Sequence, residues 1–308
     1  MIKFILSPKM KELWLGKNYY SMDSLDKFIN YFFPTNLVEV ECVDQNNANC
    51  ILWDTQDMVE PMGLINIHIC VENCINFTNY RHYKRFGDYG DPNMHIYFYN
   101  HIDKLVVTDK YMAIPVIYCR MNYFNIFYKS IKPTTYCSFA KKKFCLLTTN
   151  RMFRNKEKER IRTMLRSISH CDDINIYKPI IKNKSCYNSQ VFINLMQQYK
   201  FIFVMENSVL DGYITEKIFN PFFARVIPIY NGSPMVGEYI NPESFIWVKD
   251  VEKGLEEVRE RLVRLNSSEE EYNKMLEMNK IADRYTDEEY RDKLRQFIDT
   301  QSSRVSRV

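Results

Sequence analysis

The sequence predicts an α/β fold in two halves, and three observations carry that expectation. Short apolar runs of strand length alternate with stretches of helical apolar spacing along all 308 residues. From Tyr199 to Pro234 the order is strand, polar loop, helix, strand, which is the pattern of a parallel βαβ crossover. Between Tyr123 and Lys143 the pattern loosens around Lys132-Pro133 and the lysine run Lys141 to Lys143, which marks a boundary.

In chain order, Lys3 to Leu6 reads as a first strand. Ser24 to Phe33 has helical apolar spacing and is stopped by Pro34. Leu37 to Val43, Cys50 to Trp53 and Ile65 to Val71 read as strands, followed by Leu105 to Val107 and Pro115 to Tyr118. The second half opens with a strand at Phe144 to Thr148. A charged helix from Asn155 to Ser169, a strand at Ile174 to Tyr177 and a helix from Val191 to Gln198 follow. In the anchor stretch, Phe201 to Met205 is a strand, Ile214 to Arg225 a helix and Val226 to Tyr230 a strand. Phe245 to Val248 is a late strand. Gly254 to Leu265, Glu269 to Tyr285 and Glu288 to Ile298 are amphipathic helices, and the closing QSSRVSRV reads as a frayed tail. The expected division is 1–138, 139–285, and a C-terminal helix and tail at 286–308.

Composition removes several classes of function. The net charge of +4 is mild and no basic block is interleaved with aromatics, so nucleic acid is not an expected partner. The apolar run at the amino terminus is too short for a signal peptide's core, and no stretch approaches the ~18 apolar residues of a membrane span. A soluble, cytoplasmic chain is therefore expected. The nine cysteines have no zinc-like spacing, Cys70-x-x-x-Cys74 being the closest pair, which points to reduced thiols. There is no Asp-x-Asp triplet: Asp172-Asp173 lacks the spacer and Asp88-x-x-Asp91 has the wrong one. The five histidines form no i,i+4 pair, so neither a metal nor another cofactor is expected.

The polar residues of the anchor stretch fall where open α/β sheets bind ligands, beyond the carboxyl ends of the strands. They are Glu206, Asn207 and Tyr213, followed at once by Glu216 and Lys217 in the first helical turn. A helix N-terminus with a lysine beside it suits a phosphate, and a nearby carboxylate suits sugar hydroxyls. Taken singly, Glu216 reads equally as a first-turn acid favoured by the helix dipole, and Lys217 as a solvated charge. In the first half, Glu72 directly follows the last apolar residue of a strand and by itself is only a polar loop residue.

Taken together, Glu-Asn-Ser, the Gly-Tyr turn, Thr-Glu-Lys-Ile, the apolar helix and Ile-Pro-Ile-Tyr-x-Gly-Ser-Pro resemble the signature of the α1,3/1,4-fucosyltransferase family. The resemblance implies a GT-B fold, two Rossmann-like domains facing a cleft, and an inverting enzyme that takes GDP-fucose as donor. It implies transfer to a hydroxyl of an oligosaccharide containing galactose or N-acetylglucosamine, with α1,3 linkage favoured. Asn207, Tyr213 and Lys217 would then surround the diphosphate and fucose, and Glu216 would hold ribose or sugar hydroxyls. Val71-Glu72-Asn73 stands where the family has a Gly-Glu-Asn turn, which assigns Glu72 the role of base. The family's phosphate-binding arginine falls on Lys158, with Arg160 and Arg154 as neighbours. Arg160 is favoured because lysine lacks the planar two-point contact. Pro221 inside the helix and Asn231 in place of the usual tryptophan depart from the family pattern. A different nucleotide-sugar donor on the same fold, or a non-catalytic nucleotide- or glycan-binding module, are the alternatives.

Overall fold

In the computed structural model, the described residues are 2–6, 40–42, 50–54, 65–70, 95–99, 106–107, 111–115, 117–118, 120–121, 124, 137–149, 156–175 and 190–305. The chain forms two compact units. One comprises Met1–Tyr123, Asp211–Tyr213 and Thr286–Val308, and the other Phe124–Leu210 and Ile214–Tyr285.

The first unit holds strands β1 (Ile2–Leu6), β2 (Val40–Cys42), β3 (Cys50–Asp54), β4 (Ile65–Cys70), β5 (His95–Tyr99), β6 (Val106–Val107) and β7 (Tyr111–Pro115). They form one sheet in the order β2-β1-β3-β4-β5-β7-β6, parallel throughout except for the antiparallel β6–β7 pair. Two expectations change here. β5 lies in a stretch to which the sequence reading assigns no strand, and it pairs with β4 from Asn66↔His95 to Cys70↔Tyr99. The strand expected at 115–118 instead ends at Pro115, and residues 117–118 are helical. Proline lacks the N–H that would extend the ladder, so a strand end suits it.

The second unit holds β8 (Lys143–Thr149), β9 (Cys171–Asn175), β10 (Tyr199–Met205), β11 (Ile227–Asn231) and β12 (Ile246–Trp247), an all-parallel sheet in the order β12-β11-β10-β8-β9. Its helices are α1 (Lys156–Ile168), α2 (Gln190–Met196), α3 (Glu216–Phe223), α4 (Val236–Tyr239), α5 (Leu255–Ser267) and α6 (Glu269–Glu277). A parallel sheet needs both faces covered, which is why β10 and β11 read as continuous apolar runs. On one face Phe201, Phe203, Ile227 and Ile229 meet Ile161 and Leu165 of α1 and Val258 and Leu262 of α5. On the other, α3 packs against β10 and β11, and Phe219, Phe222 and Phe223 surround the Phe124 ring.

The expected long helix at 269–285 stops at Glu277. There the buried Lys280 ammonium donates to the carbonyls of Met275 and Leu276, and Ile281 forms a bridge to Ile240. Burial lowers the Lys280 pKa to about 8. In the first unit, helix α7 (Glu288–Val305) runs well into the segment expected to fray, and the Tyr290 ring stacks on Tyr118 at 4.9 Å. Among the described residues no helix is long and apolar enough to cross a membrane.

Candidate functional site

The carboxyl ends of β10 and β11 lead into one buried carboxylate. Glu206 directly follows β10 and is fully buried, and its N–H donates to the Asn231 carbonyl at the end of β11. One of its oxygens accepts the Thr215 N–H at 2.8 Å and the Tyr230 hydroxyl at 3.4 Å. The other accepts the Thr215 hydroxyl at 2.7 Å and the Lys217 ammonium at 3.1 Å. A buried charge is tolerated only when paired and hydrogen-bonded, and four donors meet that condition.

The start of α3 is built on the same residues. Thr215 is the N-cap, in extended conformation, and its hydroxyl oxygen accepts from the Lys217 N–H and, at 3.0 Å, from the Lys217 ammonium. The lysine side chain is 12 % exposed, and the Glu216 carboxylate lies 3.8 Å from its ammonium. The first turn of α3 therefore presents a cation whose position is fixed by Glu206 and Thr215. The preceding turn is closed by Gly212 at φ 71, a conformation only glycine adopts cheaply. Asn207 is half-buried directly after Glu206, and Tyr213 is buried.

α3 is shorter than expected, covering Glu216–Phe223. Pro221 sits inside it, and the helix ends in a left-handed cap at Arg225, φ 56. Arg225 N–H donates to the Phe222 carbonyl and Val226 N–H to that of Pro221, the Schellman pairing, with arginine where glycine is usual.

On the adjoining crossover, α1 directs two of its cations differently from the sequence expectation. Lys158 is half-buried, and its pKa is lowered first by burial, then by the nearby cations Lys217 and Arg162. Arg160, favoured from sequence, is exposed and forms an ion pair with Glu252. It lines a groove of about 1020 Å³ between α1 and α5 whose lining includes neither Lys158 nor Lys217. Arg162 is buried and pairs with Asp173 at 3.1 Å. Thus Lys158 stands within electrostatic reach of Lys217, and Arg160 is paired with Glu252. Arg154 and Glu72 lie outside the described residues.

Glu206 and Arg162 are the residues sequence reasoning undervalued. For Glu206 the signal was a carboxylate directly after a continuous apolar strand, where only a paired charge is tolerated. For Arg162 there was none, because only the packing of α1 beside the next strand, β9, brings it to Asp173.

Gly232 packs tightly against this network. A Cβ there would stand 2.4 Å from the Tyr230 hydroxyl oxygen and 2.6 Å from Glu206 Cγ. Gly232→Ala is therefore expected to displace the carboxylate and destabilise the protein by about 1–3 kcal/mol, as overpacking of a filled interior does. Urea denaturation measures it, and an unchanged midpoint would contradict the packing described.

Asn231, at the β11 terminus, donates its side-chain amide to the Val248 carbonyl at 2.9 Å and so ties β11 to the segment after β12.

The profile of Glycosyltransferase family 10 (fucosyltransferase) C-term matches residues 138–299. An α-(1,3)-fucosyltransferase of Helicobacter pylori is 27% identical over 234 residues, covering 67% of this chain and 48% of its own. A GDP-fucose protein O-fucosyltransferase 3 of Danio rerio is 32% identical over 99 residues, 32% of this chain and 22% of its own. The chain thus spans about half the length or less of these relatives. A crystal structure of an α1,3-fucosyltransferase with GDP-fucose superposes at TM-score 0.56 and 18% identity, covering 97% of this chain and 89% of that one. That likeness establishes the α/β GT-B fold with two Rossmann-like domains. With the signature residues at the carboxyl end of the second sheet and the profile spanning more than half of its length, the chain belongs to glycosyltransferase family 10, the fucosyltransferases.

Proposed function

We propose that the chain transfers L-fucose from GDP-fucose, with inversion, to a hydroxyl of an oligosaccharide containing galactose or N-acetylglucosamine, the α1,3 linkage being favoured by the family. The observation that carries this reading is the Lys217 ammonium held at the α3 N-terminus by Glu206 and Thr215, with Lys158 within electrostatic reach of it. Two cations held together repel each other, and a diphosphate placed between them removes that penalty. As the glycosidic bond breaks, the departing GDP gains negative charge, and fixed cations with the N–H groups of the first α3 turn stabilise it. Glu206 and Thr215 fix the Lys217 ammonium before the donor arrives, so the pocket needs little reorganisation. Asn207, Tyr213 and Glu216 complete the donor side, Glu216 through ribose or sugar hydroxyls.

Glu72 is the base that takes the acceptor's proton, on the strength of the family resemblance. With lysines supplying the charge, transfer needs no metal or other cofactor in this reading.

The test is incubation with GDP-fucose and a panel of neutral oligosaccharides in the presence of EDTA, with product linkage read by NMR. A fucosylated product and free GDP are expected. Turnover only with another nucleotide sugar would move the donor assignment, and GDP binding without transfer across the panel would leave a binding module.

A further inference from the structure

Away from the carboxyl ends of the second sheet, two cysteines stand opposite each other on neighbouring strands. Cys145 is the third residue of β8 and Cys171 the first of β9, and they are direct partners in the parallel register. Neighbouring strands lie about 4.8 Å apart. That spacing falls within the ~4.4–6.8 Å between Cα atoms that a disulfide spans. Register partners project from the same face of a sheet, and both side chains belong to the same apolar cluster. The Cys145 S–H is directed at the Leu146 carbonyl at 3.7 Å.

The pair is chemically asymmetric. Cys145 is fully buried in the sheet interior, and burial raises its pKa well above the ordinary thiol value. Cys171 begins the edge strand and keeps slight exposure. The neighbouring Cys145 side chain, reinforced by Arg166, lowers its pKa despite partial burial. Its own S–H is directed at the Ser169 carbonyl at 3.5 Å. One sulfur is thus the more acidic and the less deeply buried, with the other opposite it on the neighbouring strand.

We propose that Cys145 and Cys171 form an oxidation site, a thiol pair that a hydroperoxide converts to a cross-strand disulfide. The Cys171 thiolate attacks one peroxide oxygen and the O–O bond breaks. The leaving oxygen departs with the thiol's proton, as water when the oxidant is hydrogen peroxide, and Cys171 becomes a sulfenic acid. The Cys145 sulfur then attacks the Cys171 sulfur and the S–O bond breaks. The departing hydroxide takes the Cys145 proton to form a second water. Two thiols have lost two hydrogens and one peroxide has been reduced.

The resulting bridge ties the edge strand β9 to β8 and closes the crossover that carries Lys158 on α1. A disulfide between directly paired strands departs from relaxed geometry, which makes it easily reduced again. The inference is independent of the donor-site reading, because no residue of that site takes part.

The experiment is exposure of the whole protein to hydrogen peroxide, followed by alkylation under denaturing conditions and peptide mapping. The expected result is a linked Cys145–Cys171 peptide lacking two hydrogens, reversed by dithiothreitol, while Cys137 remains alkylatable. In Cys145→Ser the linked peptide is lost and Cys171 is captured as a sulfenic acid by dimedone. Alkylation of both Cys145 and Cys171 in the treated wild type, or equal dimedone capture in wild type and Cys145→Ser, would overturn the proposal.

Discussion

Glu72→Gln is expected to lower kcat for fucose transfer by roughly 100- to 10,000-fold, the range general-base catalysis contributes, with affinity for GDP unchanged. Inversion at the donor sugar requires the acceptor oxygen to attack from the face opposite the leaving GDP, and that oxygen must lose its proton as it does so. Glutamine keeps the size and the hydrogen-bonding oxygen but is not basic, so only the proton-transfer step is removed. Glu72 lies outside the described residues, so its role rests on Val71-Glu72-Asn73 standing where the family has a Gly-Glu-Asn turn. Single-turnover kinetics beside GDP titration separate the two effects. A near-normal chemical step would assign the base elsewhere.

Glu206→Ala should be the most damaging change in the second unit. It removes the acceptor for Thr215 N–H, the Thr215 hydroxyl, the Lys217 ammonium and the Tyr230 hydroxyl at once. Lys217 is then left as a mostly buried cation without its closest carboxylate. Removing one partner of a buried pair costs about 3–5 kcal/mol. Urea denaturation is expected to show that loss, together with weakened GDP binding because the N-cap of α3 goes with it. Glu206→Gln keeps the volume and an acceptor for Thr215, so it should lose less stability while still weakening GDP. If Glu206→Ala unfolded at the wild-type midpoint, the carboxylate would not be organising this site.

The anchor stretch was legible because buried parallel strands leave an unmistakable trace: five consecutive apolar residues, a polar break, and a helix that begins with Thr-Glu-Lys. The strand β5 was not, because His95-Ile-Tyr-Phe-Tyr carries polar atoms on most of its residues and closely follows the Gly-, Asp- and Pro-rich sequence of 87–93. The end of α6 at Glu277 was hidden for a different reason. Helical spacing continues past it, and what stops it is tertiary: the Lys280 ammonium on two carbonyls and the Ile281–Ile240 bridge.

Within the site, residue types and order pointed to a lysine suited to a phosphate, but they did not say what would hold it. Glu206 lies eleven residues before Lys217, and the contact exists only because β10 delivers one to the start of α3. The choice between Lys158 and Arg160 likewise turned on helix geometry. Residues two apart on a helix do not share a face. So Lys158, within electrostatic reach of Lys217, and Arg160, paired with Glu252, lie on different faces of α1.

Calorimetric titration of GDP into the wild type and into Lys217→Ala, Lys158→Ala and Arg160→Ala addresses the cation pocket most directly. Charge-assisted hydrogen bonds contribute about 1.5–3 kcal/mol each, so Lys217→Ala and Lys158→Ala should each weaken GDP by roughly 10- to 150-fold. Arg160→Ala, which only releases an exposed ion pair, should leave it unchanged. Wild-type affinity in both lysine variants, or its loss in Arg160→Ala, would contradict a diphosphate held between α1 and the start of α3.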